Sequence, residues 1–166
     1  NNTSLIYKIR GDEEKAIQEI RSSIKISQEH NFQKSLARSY NILGFLYYNT
    51  KKDSSVYYYE KAIKLSRNNQ NDYLQGIALS NLGDLHLNRG NYNKAFENLN
   101  LSESLALQVG NMASLHFLNL SLGIYYEEID NYPEAINKYE RAIKKYDLYI
   151  EGFQKLRAYW LISGAY

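Results

Sequence analysis

The sequence has no cysteine, which excludes a disulfide framework and a thiolate metal site. It has 1 proline and 9 glycines in 166 residues, and so few breakers favour helices over loop-rich architectures. No apolar run approaches the roughly 18 residues that a membrane-spanning helix needs, and no signal peptide opens the chain, so no membrane span is expected in this segment. Charge of one sign is also missing. Lys and Arg number 20 against 18 Asp and Glu, a net +2, so there is no basic field and nucleic acid is not an expected partner. The lack of cysteine fits a reducing compartment, and a cytoplasmic location is expected. A periplasmic one would follow if the segment belonged to a membrane-bound sensor.

What is present is ordinary for a packed domain: 44% hydrophobic and 23% charged residues, in a chain long enough for a sizeable core. Two columns of small residues run through it. The first is Ser4, Gly44, Gly83, Gly123 and Ser163; the second is Ser23, Ala62, Ser102 and Ala142. The step from first column to second is 19, 18, 19 and 19 residues, and the return step is 21 every time. Small side chains let helix axes approach closely where they cross, to about 8–10 Å. A glycine inside a helix costs about 1 kcal/mol against alanine, which the packing it permits must offset. The chain therefore divides into a partial repeat at 1–28, full repeats at 29–68, 69–109 and 110–148, and the start of a further repeat at 149–166.

The apolar pattern around these columns has helical period. Residues 1–9 read as a helix tail. A second helix starts at Asp12-Glu13-Glu14, with acidic residues suited to the positive end of its dipole. Glu29-His30-Asn31 reads as a turn, and a helix is expected over about 32–50. Asp53 and Asp72 are expected as N-caps of the next two helices. Gly90-Asn91 and Gly110-Asn111 each read as a helix stop followed by an N-cap. Asn131-Tyr132-Pro133-Glu134 places Pro in a first turn and Glu at the capping-box position. A last helix is expected from Glu151 to Tyr166. The expected fold class is all-α: about nine antiparallel helices, joined by short turns and stacked as an α-α superhelix.

These residues resemble tetratricopeptide repeats. The second full repeat carries Leu82, Gly83, Gly90, Asn91, Tyr92, Ala95, Leu99 and Ser102. The third carries Leu122, Gly123, Tyr126, Asn131, Tyr132, Ala135, Tyr139 and Ala142. The first carries Leu43, Gly44, Tyr47, Tyr59 and Ala62, with one residue fewer at its turn. The family's usual repeat is about 34 residues, and here it is about 40, the length seen in kinesin light chain-like adaptors and in bacterial regulators. The chain starts and stops inside helices, so it is expected to be a piece of a longer protein. The terminal helix carrying Trp160 is expected to pack on missing sequence or on a second copy.

No catalytic constellation is legible. His30, His86 and His116 are scattered over three repeats, and His86 stands where the family places a packing aromatic. There is no Gly-x-Ser-x-Gly and no Gly-rich phosphate loop. The pair Glu127-Glu128 reads as a solvated face rather than an acid–base pair. No enzyme activity, metal or cofactor is expected. The resemblance instead implies a protein-binding groove, because the family's first helices line the concave side. By register that face takes Asn41, Phe45, Tyr48 and Asn49 from the first repeat. The second supplies Ser80, Asn81, Asp84 and Asn88. Leu120, Ile124, Glu127 and Glu128 follow from the third, and Arg157 from the next. Asparagine amides can hold a peptide backbone, apolar neighbours add anchoring area, and Asp84, Glu127 and Glu128 favour a basic residue in the ligand. The family's clamp for an acidic chaperone tail is not expected, since Phe45 and Asn88 stand where it needs an Asn and a Lys. Two roles are open at this point: a non-catalytic protein- or peptide-binding module, or the sensory input region of a bacterial transcription regulator or histidine kinase.

Overall fold

A computed structural model describes residues 12–146 as seven α-helices, with no strand among them. They are α1 (Glu13–Glu29), α2 (Gln33–Leu46), α3 (Lys52–Asn68), α4 (Asp72–Asn88), α5 (Tyr92–Gln108), α6 (Met112–Glu128) and α7 (Tyr132–Tyr146). The helices expected at 1–9 and from Glu151 onward lie outside the described residues. None of the described helices is long and apolar enough to cross a membrane.

The turns follow the local chemistry, with three departures. Asn31, Gln70, Gly90, Gly110 and Asp130 all take positive φ and reverse the chain between helices. The turn from α2 to α3 has no such residue. There α2 stops at Leu46, several residues before the expected end, and the chain descends through Tyr48 N–H to Phe45 C=O at 3.3 Å and Lys51 N–H to Tyr47 C=O at 2.9 Å. This is the turn that is one residue shorter in sequence. Neither Asp53 nor Asp72 is a cap. Lys51 and Asn71 precede those helices, and each Asp sits inside the first turn, where the dipole still favours it. Asn71 and Asn111 do cap, accepting from Leu74 N–H at 3.1 Å and Ser114 N–H at 3.2 Å.

Each helix packs on the next in sequence, and α2, α4 and α6 also touch one another across repeats. The layer whose members contact one another most is the inner side of the bend, so α2, α4 and α6 form the concave face and α3, α5 and α7 spread on the convex one. Sandwiched between two second helices, α4 and α6 bury residues all round rather than along one stripe. The glycine column explains the close crossing. A Cβ on Gly44 would lie 2.7 Å from the Tyr59 ring, and one on Gly83 would lie 2.7 Å from Leu99 Cγ. At Gly123 it would collide with the Tyr139 ring. Tyr59, Leu99 and Tyr139 are themselves fully buried, each a knob filling the space its glycine leaves. Polar partners complete these crossings: Ser55 Oγ donates to Gly44 C=O and Ser102 Oγ to Gly76 C=O, both at 2.7 Å.

Candidate functional site

The concave face is assembled from one stripe on each inner helix. On α4, Asp84 and Asn88 are four residues apart and so lie one above the other. On α6, Ser121, Ile124 and Glu128 share a stripe by the same spacing. Tyr48 joins them from the turn after α2. Together with Leu87 these side chains line a cleft of about 330 Å³. Its walls are tied across repeats. Tyr48 Oη donates to Asp84 C=O at 3.4 Å, Lys52 Nζ donates to Asn88 Oδ1 at 2.6 Å, and Tyr92 Oη donates to Glu128 Oε2 at 2.7 Å.

The electrostatics of the cleft are acidic. Asp84 and Glu128 contribute carboxylates, and among the described residues no Lys or Arg lines the cleft itself, Lys52 reaching its wall only through Asn88. Burial, followed by the charge of Asp84, raises the Tyr48 phenol above its ordinary value. The hydrogen bond to Glu128 does the same for Tyr92. Both phenols therefore stay protonated donors at neutral pH. Such a surface complements a cation on a ligand.

The remaining expected site residues fall in different places. Asn81 Nδ2 donates to Asn41 Oδ1 at 2.9 Å, joining α4 to α2 on the concave side. Phe45 is exposed on α2, Asn49 is exposed in the following turn, and Ser80 is half-buried. Leu120 is only 5% exposed and packs with Ala135, Tyr139 and Ala142 of α7, so it supplies core area instead of groove surface. Glu127 accepts from Tyr139 Oη at 2.7 Å and so braces α6 against α7. Arg157 and Trp160 lie outside the described residues. The register reading missed Leu87 and Ser121. A signal for Ser121 was present: it stands two residues before Gly123, as Asn81 does before Gly83.

Two of the three histidines lie within the helix packing, and His30 is exposed beside Phe32 in the turn after α1. His116 is fully buried with Nδ1 3.1 Å from Ala142 C=O, and His86 is 6% exposed. Among the described residues no group of three His, Asp or Glu could hold a metal ion.

Residues 37–69 match the family model described as Tetratricopeptide repeat, and residues 1–50 and 84–145 match the model described as Anaphase-promoting complex subunit 5. No curated protein matches in sequence. Among solved structures, the chain is similar to BtubC (BKLC) from P. vanneervenii, with TM-score 0.84 and 18% identity over 98% of this chain and 68% of that one. It is similar to the apo form of RapI, with TM-score 0.80 and 15% identity over 98% of this chain and 46% of that one. A kinesin light chain-like protein from Podosopora anserina with nearly identical TPR-like repeats gives TM-score 0.73 and 15% identity, over 99% of this chain and 82% of that one. At these identities the likeness is one of fold.

Proposed function

Because the chain belongs to the tetratricopeptide-repeat family, we propose that it is a non-catalytic protein-interaction module that holds a peptide segment along its concave face. The observation that carries this reading is the convergence of Tyr48, Asp84, Asn88, Ile124 and Glu128, from three repeats, on one acidic cleft. A basic side chain of the ligand enters that cleft, where Asp84 and Glu128 offset its charge and Ile124 and Leu87 cover its aliphatic stem. The Asn41–Asn81 pair continues the same face and offers amide groups to the ligand backbone. Glu127 contributes to the field of the face but does not line the cleft, its carboxylate bracing α6 against α7 through Tyr139.

The test is selection from a display library of short random peptides, followed by affinity measurement. The selected peptides are expected to share a Lys or Arg. The double variant Asn81→Ala/Asp84→Lys is expected to bind them about ten-fold or more weakly, with helicity and Tm nearly unchanged. Binding retained by the double variant would move the site off the concave face and sink this reading.

A further inference from the structure

The convex side has a cavity of its own. A groove of about 690 Å³ lies between α3 and α5, with Leu79, Leu82 and His86 of α4 forming its floor. It is open for a local reason. Between α5 and α7, one repeat later, Lys138 Nζ reaches Glu103 at 3.1 Å and the two side chains, 10% and 15% exposed, bridge the second helices. At the corresponding positions one repeat earlier stand Asn98 and Ile63, which cannot form that bridge, and both line the groove.

Three cations border it: Lys64 and Arg67 from α3, and Lys94 from α5. None of the three has an ion-pair partner among the described residues. Glu60 and Glu97 also line the groove, so its formal charge is +1 rather than +3. Two further observations favour an anion. Lys94 sits in the first turn of α5, where the positive end of the helix dipole disfavours a cation and an added carboxylate would be welcome. His86 lines the groove at 6% exposure, and its Nδ1 has no hydrogen-bond partner among the described residues. A buried polar atom left in this state calls for a partner, and rotation about the broad χ2 torsion can turn either ring nitrogen towards one. The floor and rim are aliphatic, through Leu79, Leu82 and Leu101.

We propose that this convex groove is a second docking surface, which takes an acidic-aliphatic segment of a partner polypeptide. A carboxylate of the partner lies between Lys94 and His86, a second acidic residue reaches Lys64 and Arg67, and an aliphatic side chain covers Leu79 and Leu101. The site is separate from the concave cleft and selects the opposite charge.

The experiment titrates the 166-residue chain with a capped peptide of alternating Leu and Asp residues, followed by amide NMR shifts and calorimetry. Lys64→Glu/Lys94→Glu is expected to weaken binding about ten-fold or more, with shifts in the wild type centred on the α3–α5 groove. Asp84→Lys, on the concave side, is expected to leave the affinity unchanged, which separates this site from the one above. The proposal is overturned if the wild type does not bind the peptide, if the Lys64/Lys94 variant binds it equally, if Asp84→Lys changes the affinity by the same factor, or if inorganic phosphate binds the groove and the peptide does not. A matched Lys64→Gln/Lys94→Gln variant guards against misfolding. It is expected to bind with intermediate affinity, and an affinity equal to the wild type's would also overturn the proposal.

Discussion

At the scale of single residues, the glycines are not interchangeable. Gly123 faces the Tyr139 ring so closely that any Cβ must displace it, and Tyr139 is itself fully buried. Gly123→Ala is therefore expected to destabilise the fold by about 1–3 kcal/mol through overpacking. Gly76 is also helical, but a Cβ there meets Leu105 Cβ at an ordinary 3.5 Å. Gly76→Ala is expected to stabilise by about 0.5–1 kcal/mol, since alanine loses less backbone entropy on folding. Urea melts of the two variants, made side by side, check both signs. His86 gives a pH dependence. Burial first, and then the positive charges of Lys94 and Arg89, lower its imidazole below the ordinary 6.5. The folded state thus binds the proton less readily than the unfolded chain does. The stability this ring contributes is full above about pH 6.5 and is lost as the pH falls through the lowered value. Thermal melts between pH 7.5 and 5 should show a falling Tm, with a shallower fall in His86→Gln. Equal slopes would show that the imidazole is not the responsible group.

At the scale of elements, the second helices are joined unevenly. Glu103 and Lys138 link α5 to α7 in a mostly buried pair, with Lys138 donating to both carboxylate oxygens at 3.2 and 3.1 Å. Removing one partner leaves the other charge buried and uncompensated. Glu103→Gln is expected to cost roughly 3 kcal/mol, and Glu103→Leu/Lys138→Met much less, because the desolvation of both charges is then avoided. A double-mutant cycle in urea measures the difference, and additive effects would show that the pair does not act as a unit. The helix order, the turn grammar at Gly90-Asn91 and Gly110-Asn111, and the crossing glycines were all legible beforehand. Each depends on residues close in sequence or on a backbone requirement that only glycine meets. The end of α2 was not legible, because a shortened turn without a positive-φ residue carries no punctuation of its own. The caps before α3 and α4 were misread by one or two positions for a related reason: Asp is favoured both at the cap and just inside it.

At the scale of the molecule, the stack is held by neighbour-to-neighbour contacts, and its two faces carry different chemistry. Among the described residues the concave cleft is lined by carboxylates without Lys or Arg, while the convex groove is bordered by Lys64, Arg67 and Lys94. The family resemblance and the spacing of the small residues were enough to place Tyr48, Asp84, Asn88 and Ile124 on one face. They were not enough to separate Leu120, which α7 covers, from Ser121, which lines the cleft, since adjacent helical residues differ only in which neighbour they meet. Lys52, Tyr92 and Gln108 each bond a residue 36 positions away, and Arg89 pairs with Asp53 at the same separation, because the start of one helix meets the end of the next in an antiparallel pair. Between α2 and α4 the separation is not fixed: Asn41 meets Asn81 at 40 positions, and Tyr48, in the turn after α2, meets Asp84 at 36. The sequence by itself determined the helices, their antiparallel order and the glycine crossings, because those rest on periodicity and on steric limits that act within a repeat. Only the tertiary structure decided which side chains meet across repeats, because neighbouring residues on one helix face different neighbouring helices, and no spacing within a single repeat records which neighbour each one meets.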